Sequence, residues 1–86
     1  MGETTMTPRE LINAVKEENV PVCIMAKVNG VEEQWAYFNG KQQVWLSDCY
    51  EQHLDTELPV ELFPLPVELS GIEQRYAVFT IGGNNG

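Results

Sequence analysis

The chain has 86 residues, of which 43% are hydrophobic and 21% charged, a composition typical of one folded domain and unlike a disordered segment. Thirteen Asp and Glu residues against five Lys and Arg residues give a formal net charge of −8, which disfavours direct binding to nucleic acid or to anionic membranes. The sequence has no apolar stretch near the roughly 20 residues that span a bilayer and no signal-peptide pattern at its first residues, so we expect a cytoplasmic protein.

An amphipathic helix is predicted over Pro8–Glu18. Thr7 provides an N-cap hydroxyl, Pro8 suits the first helical position, and Glu10 completes a capping box. The apolar residues that follow at helical spacing are Leu11, Ile12 and Val15. Asn19 is a residue type that tolerates the left-handed conformation of a helix stop, so we expect the helix to end there.

Two Asn-Gly pairs, at positions 29–30 and 39–40, each predict a two-residue hairpin turn of type I′. The strands that flank these turns are residues 20–28, 31–38 and 41–46, which makes a three-stranded antiparallel meander. Two-residue turns at both places predict three cross-strand pairs: Val28 with Val31, Ile24 with Trp35, and Trp35 with Val44.

This register divides the meander into two faces, because side chains alternate along a strand. The predicted core face, which the helix covers, carries Val22, Ile24, Ala26, Val28, Val31, Trp35, Tyr37, Val44 and Leu46. Glu33 is a misfit on that face, and we place it near an edge. The other face is mixed and carries Cys23, Met25, Lys27, Glu32, Gln34, Ala36, Phe38, Lys41, Gln43 and Trp45. Residues 58–69 or another molecule are expected to cover part of this mixed face.

The second half of the chain gives weaker signals. Ser47 and Asp48 predict a short helix that extends to about residue 54. Residues 55–71 are irregular and contain prolines, which indicates extended or edge-strand segments. A last strand is predicted over Ile72–Ile81, and residues 1–6 and 82–86 are expected to be flexible ends. The predicted fold is a single α+β domain, residues 1–86, in which the N-terminal helix packs on an antiparallel sheet of the meander plus the C-terminal strand.

Cys49 and His53 are four residues apart, so a helix would place both on one face. A thiol beside an imidazole can serve as a nucleophile with its base, or as half of a metal site. The chain has no other histidine, and Cys23 is its one further cysteine. We therefore expect two free thiols, no enzyme activity, no catalytic or metal-binding residues and no cofactor, with a Cys–His enzyme or metal site as a distant alternative.

Two groups of residues are candidates for contact with a partner. The acidic group lies in a stretch without basic residues and comprises Asp48, Glu51, Asp55, Glu57, Glu61 and Glu68. The apolar group, predicted on the mixed face, comprises Met25, Phe38 and Trp45, residue types that are enriched at protein interfaces. Simple solvation competes with the first interpretation, and burial under residues 58–69 competes with the second.

We expect a small, acidic, non-enzymatic protein-interaction domain, an inhibitor or adaptor of the kind that phages and mobile elements direct at host enzymes. Its partner would be a basic, nucleic-acid-handling protein. The carboxylates would steer the complex, and the apolar patch would provide most of the affinity. The alternative is a homo-oligomeric structural domain, for example a homodimer, that buries its mixed sheet face between identical subunits.

Overall fold

The computed structural model describes residues 4–41, 43–69 and 71–82. The elements in chain order are β1 (Thr5–Met6), α1 (Pro8–Glu18), β2 (Pro21–Val28), β3 (Val31–Asn39), β4 (Val44–Leu46), α2 (Asp48–Gln52), β5 (Leu58–Leu69) and β6 (Ile72–Ile81). The strands of the described residues form one six-stranded sheet in the order β1-β5-β6-β2-β3-β4. The predicted α+β class is confirmed.

The predicted capping of α1 is confirmed at both ends. Thr7 Oγ1 accepts the backbone N–H of Glu10, and Glu10 Oε1 accepts the backbone N–H of Thr7, both at 3.1 Å. Asn19 ends the helix in the left-handed conformation, with φ of 60°. The stripe that the helix buries contains Leu11, Ile12 and Val15, as predicted.

The first hairpin has the predicted turn but not the predicted register throughout. Val28 lies opposite Val31, and both intervening residues have positive φ. Farther along, the pairing shifts by one residue, so that Ile24 lies opposite Ala36 and not opposite Trp35. Trp35 is the extra residue of a β-bulge, which adds one residue to one strand of a pair. The predicted Ile24–Trp35 pair is therefore wrong.

The second Asn-Gly pair does not make a two-residue turn. The amide N of Asn39 donates to the Gln43 carbonyl at 3.2 Å, and Phe38, not Trp35, lies opposite Val44. The side-chain oxygen of Asn39 accepts the backbone N–H two residues farther on, at 2.9 Å, and Asn favours such local turns. The predicted Trp35–Val44 pair is wrong because the loop is wider than the sequence indicated.

The bulge decides which residues of β3 enter the core. Trp35 is buried, as predicted, and Ala36 and Phe38 are buried with it. Tyr37 turns to the opposite face, where it is half-buried, so the predicted faces of Ala36, Tyr37 and Phe38 are wrong. The indole N–H of Trp35 donates to Glu33 Oε2 at 2.9 Å, which gives this acidic residue of the core face a partner.

Both described helices pack on the same face of the sheet. Tyr50 of α2 is fully buried, and its ring lies edge-on to Trp35 and to Phe79, with centroids 6.1 and 6.5 Å apart. Its hydroxyl donates to the carbonyl of Pro8, which ties the second helix to the start of the first. The core around this contact also contains Leu11, Ile12, Val15, Val22, Ile24, Ala26, Ala36, Phe38, Leu58, Val60 and Ala77.

The segment of residues 55–71, expected to be irregular, contains the longest described strand. β5 pairs antiparallel with β6, but between the pairs Phe63–Tyr76 and Val67–Gln74 three residues of β5 stand opposite one residue of β6, which is a wide irregularity at a proline-bearing site. β6 lies between β5 and β2 and runs parallel to β2. The expectation of a wholly antiparallel sheet is therefore wrong, and the sheet has more strands than predicted.

The described termini belong partly to the sheet. Thr5 and Met6, predicted in a flexible end, form β1 opposite Pro59 and Leu58. Residues 1–3 and 83–86, which were also predicted to be flexible, lie outside the described residues. Within the described ranges, neither helix combines the length and the apolar character that crossing a bilayer requires.

Replacement of Tyr50 by Phe is expected to lower the free energy of unfolding by about 1 to 2 kcal/mol, because the buried Pro8 carbonyl loses a donor while the ring packing remains. Urea unfolding followed by tryptophan fluorescence measures this change. The control is Tyr37→Phe on the opposite face, where we expect a change within about 0.5 kcal/mol. Equal losses in the two variants would contradict the role assigned to Tyr50.

Candidate functional site

A row of side chains crosses five strands on the sheet face opposite α1 and α2, which we name the far face. Cross-strand pairing joins Trp45 to Tyr37, Tyr37 to Cys23, Cys23 to Tyr76, and Tyr76 to Phe63. Since neighbouring strands lie roughly 4.8 Å apart, the row is about 19 Å long. We name these five residues the aromatic row.

The aromatic row is open to solvent at its Trp45 end and closed at its centre. Trp45 has half of its surface exposed, whereas Cys23 is buried, with 5% exposed. The rings of Phe63 and Tyr76 contact edge to face, with centroids 5.5 Å apart. Gln34 Nε2 donates to Cys23 Sγ at 3.6 Å. No element of the described residues covers the row, so the exposed Trp45 and the exposed parts of the half-buried Tyr37, Tyr76 and Phe63 are available for contact.

A second row of the far face lies beside the aromatic row and extends its apolar surface. Met25 and Val78 are neighbours at its centre, and Gln34 and Glu61 stand at its ends. The next row is polar and contains Glu32, Lys27 and Thr80. The far face thus has an apolar centre and a polar rim, the arrangement found at protein–protein interfaces.

The predicted apolar group is found only in part on the far face. Met25 and Trp45 lie there, as predicted, but Phe38 is buried in the core and cannot contact a partner. Its place is taken by Tyr37, because the bulge exchanges the two residues between faces. Tyr76 and Phe63 were missed because the sequence gives no indication that β5 and β6 join the meander in this register. β5 also lies beside β6 in the sheet, so it does not fold over the far face.

The six residues of the predicted acidic group are exposed, and the structure distributes them over different parts of the surface. Their positions are α2 for Asp48 and Glu51, the connection between α2 and β5 for Asp55 and Glu57, and β5 for Glu61 and Glu68. Glu61 lies opposite Val78 and Glu68 lies opposite Glu73, and these pairs belong to opposite faces of the sheet. One member of the group, Glu61, is on the far face.

Asp55 of the acidic group forms a salt bridge with Arg9. Arg9 donates to both of its carboxylate oxygens, with Nε–Oδ1 at 2.8 Å and Nη2–Oδ2 at 3.2 Å. The hydrogen bond from Arg9 lowers the pKa of Asp55 from its usual value. Arg75 makes a single hydrogen bond to Glu18, from Nη1 to Oε1 at 2.7 Å. These two arginines therefore neutralise carboxylates on the helix side. Among the described residues of the far face, Lys27 is the cation that stands with the carboxylates of Glu32 and Glu61.

Two ionisable groups of the aromatic row, Cys23 and Tyr76, have raised pKa values. Burial raises the pKa of the Cys23 thiol, so at neutral pH the group packs as a thiol and lacks the thiolate that a nucleophile needs. Burial is also the main cause of a raised pKa at Tyr76, and the negative charge of Glu32 adds to it. The row is therefore an uncharged surface beside a carboxylate.

Cys49 and His53 lie in and directly after α2, but the described contacts of the imidazole are with a backbone carbonyl and an aromatic ring and not with the Cys49 thiol. His53 Nδ1 forms a 2.9 Å hydrogen bond with the backbone carbonyl of Cys49. Its ring stacks on Trp35, with centroids 5.4 Å apart and planes 18° apart. Within the described residues, no group of three or more His, Cys, Asp or Glu side chains is arranged to hold a metal ion. The contacts of His53 are those of a packing residue at the end of a short helix.

Comparison of the chain with protein-family models, with curated proteins and with solved structures found no match in any of the three. The geometry and charge of the described residues are therefore the basis for a functional proposal.

Asp55 is expected to make stability depend on pH through its pairing with Arg9. Because the pKa of Asp55 is lowered in the folded state, its contribution is present at neutral pH and is lost as pH falls through that folded-state pKa. The destabilisation caused by Asp55→Asn, measured by urea unfolding, should therefore be present at neutral pH and shrink as pH falls below the ordinary pKa of Asp, about 3.9.

The control for this prediction is the same substitution in an Arg9→Gln background, where the ion pair is already broken. There we expect Asp55→Asn to change the free energy of unfolding only slightly and independently of pH. The reason is that an exposed carboxylate without its ion-pair partner contributes little to stability. A pH dependence that is equally strong in both backgrounds would show that the Arg9–Asp55 pair is not its cause.

Proposed function

We propose that this chain is a non-enzymatic protein-interaction domain that binds a basic protein partner through the far face of its sheet. The observation that carries the proposal is the aromatic row: four aromatic side chains in register across five strands, on a face that no described element covers. A domain that needed this face for its own core would place a helix on it.

The residue types of the row support binding to a protein. Tyrosine and tryptophan dominate the energetics of interfaces, since each ring buries a large area at low cost in side-chain entropy. Trp45, half-exposed at one end of the row, is the side chain that would bury the most new surface. Cys23 of the aromatic row and Val78 of the second row are already buried and would support the neighbouring side chains.

The net charge of −8 supports a basic partner. Negative charge on the approaching surfaces raises the association rate with a positively charged protein and disfavours acidic ones. A basic protein that handles nucleic acid is the partner class that fits this charge best, and the chain would act on it as an inhibitor or adaptor. The carboxylates at the rim of the far face, Glu32 and Glu61, would meet cations of the partner.

The second candidate is self-association through the same face. The aromatic row could pack on its counterpart in a second copy, because an apolar row is compatible with two-fold symmetry. The charge of −8 on each copy opposes this arrangement, more strongly at low salt, where screening is weak.

Light scattering of the purified chain at low and at moderate salt separates the two candidates. We expect the mass of one chain at both salt concentrations, because charge repulsion opposes association of identical copies. A dimer that forms in the native chain and is lost on Trp45→Ala would instead establish self-association as the use of this face.

Affinity capture from a lysate of the source cells, with quantitative mass spectrometry, tests the interaction with a basic partner. The native chain is expected to retain a basic protein, with binding that weakens as salt rises. Trp45→Ala and Tyr37→Ala should each weaken binding by about tenfold or more, as truncation of aromatic side chains that become buried at an interface does.

The matched control is Val31→Ala, which removes another exposed apolar side chain at the hairpin tip, on the opposite face of β3. This variant should bind the partner as the native chain does. Thermal unfolding of each variant confirms that the fold is kept. Equal capture by the native chain and both aromatic variants would contradict the use of the far face.

A further inference from the structure

A groove with apolar walls lies on the helix side of the molecule, between α1 and the β5–β6 hairpin. Its volume is about 210 Å³. The side chains that form its apolar walls include Met6, Leu11, Ala14, Val15, Leu62 and Ala77. This groove could not be predicted from the sequence, because its two walls are far apart along the chain, residues 6–22 on one side and residues 62–77 on the other.

Apolar surface in this groove remains open to solvent. Leu62, on one wall, has 44% of its surface exposed, and Ala14, on the other wall, is exposed as well. The volume corresponds to about seven water molecules at roughly 30 Å³ each, and it is smaller than the pockets that take drug-sized ligands. The groove therefore has room for one short chain of carbon atoms.

A charged pair stands at the wall of the groove. Arg75 Nη1 donates to Glu18 Oε1 at 2.7 Å, and more than a third of each side chain is exposed. A guanidinium group has five N–H donors in a planar fork that matches a carboxylate with two parallel hydrogen bonds. The described hydrogen bond of Arg75 uses one of the five, so the group has donors left for a second carboxylate.

We propose that this groove binds a short aliphatic carboxylate, with its carbon chain between α1 and β5 and its head group on Arg75. The chain would cover the exposed surface of Leu62 and Ala14, and burial of apolar surface is the favourable term for such a ligand. The head group would compete with Glu18 for the guanidinium. Phe63 and Tyr76 of the aromatic row also line the groove, but the proposal does not depend on the proposed function.

Octanoate is the probe, and octanol and octylammonium are its matched controls, since all three have the same chain length. Isothermal titration calorimetry of the full chain should show saturable binding of octanoate, and octanol should bind about tenfold more weakly because it lacks the charge that pairs with Arg75. Octylammonium should bind no better than octanol.

Substitutions at the charged pair are expected to act in opposite directions. Arg75→Gln should reduce the affinity for octanoate to that for octanol, because the cation is lost. Glu18→Gln should raise the affinity for octanoate several-fold, because the competing carboxylate is lost. Arg9→Gln is the matched control: it breaks an equally exposed ion pair away from the groove and should leave octanoate binding unchanged.

Ala14→Leu fills the groove from an exposed helical position, where leucine is a good helix former. It should weaken octanoate and octanol alike. Octanoate binding that does not saturate, that is unchanged in Ala14→Leu or Arg75→Gln, or that is weaker than octylammonium binding would overturn the proposal. Circular dichroism of each variant shows that the fold is intact.

Discussion

The β-bulge at Trp35 is the constraint on which the arrangement of both sheet faces depends. Because one extra residue enters β3, the parity of inward and outward side chains reverses after that point. The bulged indole then packs between Tyr50, His53 and Phe79, with ring centroids 5.4 to 6.1 Å apart. The reversal buries Ala36 and Phe38 and turns Tyr37 outward, so one local irregularity provides both the centre of the core and a member of the aromatic row.

The position of β6 in the sheet decides which of its side chains face the helices and which face the far side. Ala77 and Phe79 face the helices and Val78 faces the other way, and all three are buried. A strand that is buried on both faces is most stable at the centre of a sheet, and β6 lies there between β5 and β2. This placement brings Tyr76 next to Cys23 and completes the aromatic row.

The two candidate sites differ in what assembles them. The aromatic row depends on strand register alone, since every member is the cross-strand neighbour of the next. The groove depends instead on the distance between α1 and β5, and on the ion pair that joins Glu18 at the end of the helix to Arg75 on β6. Phe63 and Tyr76 of the aromatic row also line the groove, so the two sites meet at these two residues.

The sequence by itself determined the features that short-range interactions control. These include the capping box at Thr7, the left-handed stop at Asn19 and the turn at Asn29. Only the tertiary structure decided the bulge at Trp35, the pairing of β5 and the parallel pairing of β6 with β2. The physical reason is that local signals fix turns and caps within a few residues, whereas register and strand order follow from which distant apolar side chains pack together. The aromatic row and the groove consist of such distant residues, and for that reason the sequence indicated only parts of each.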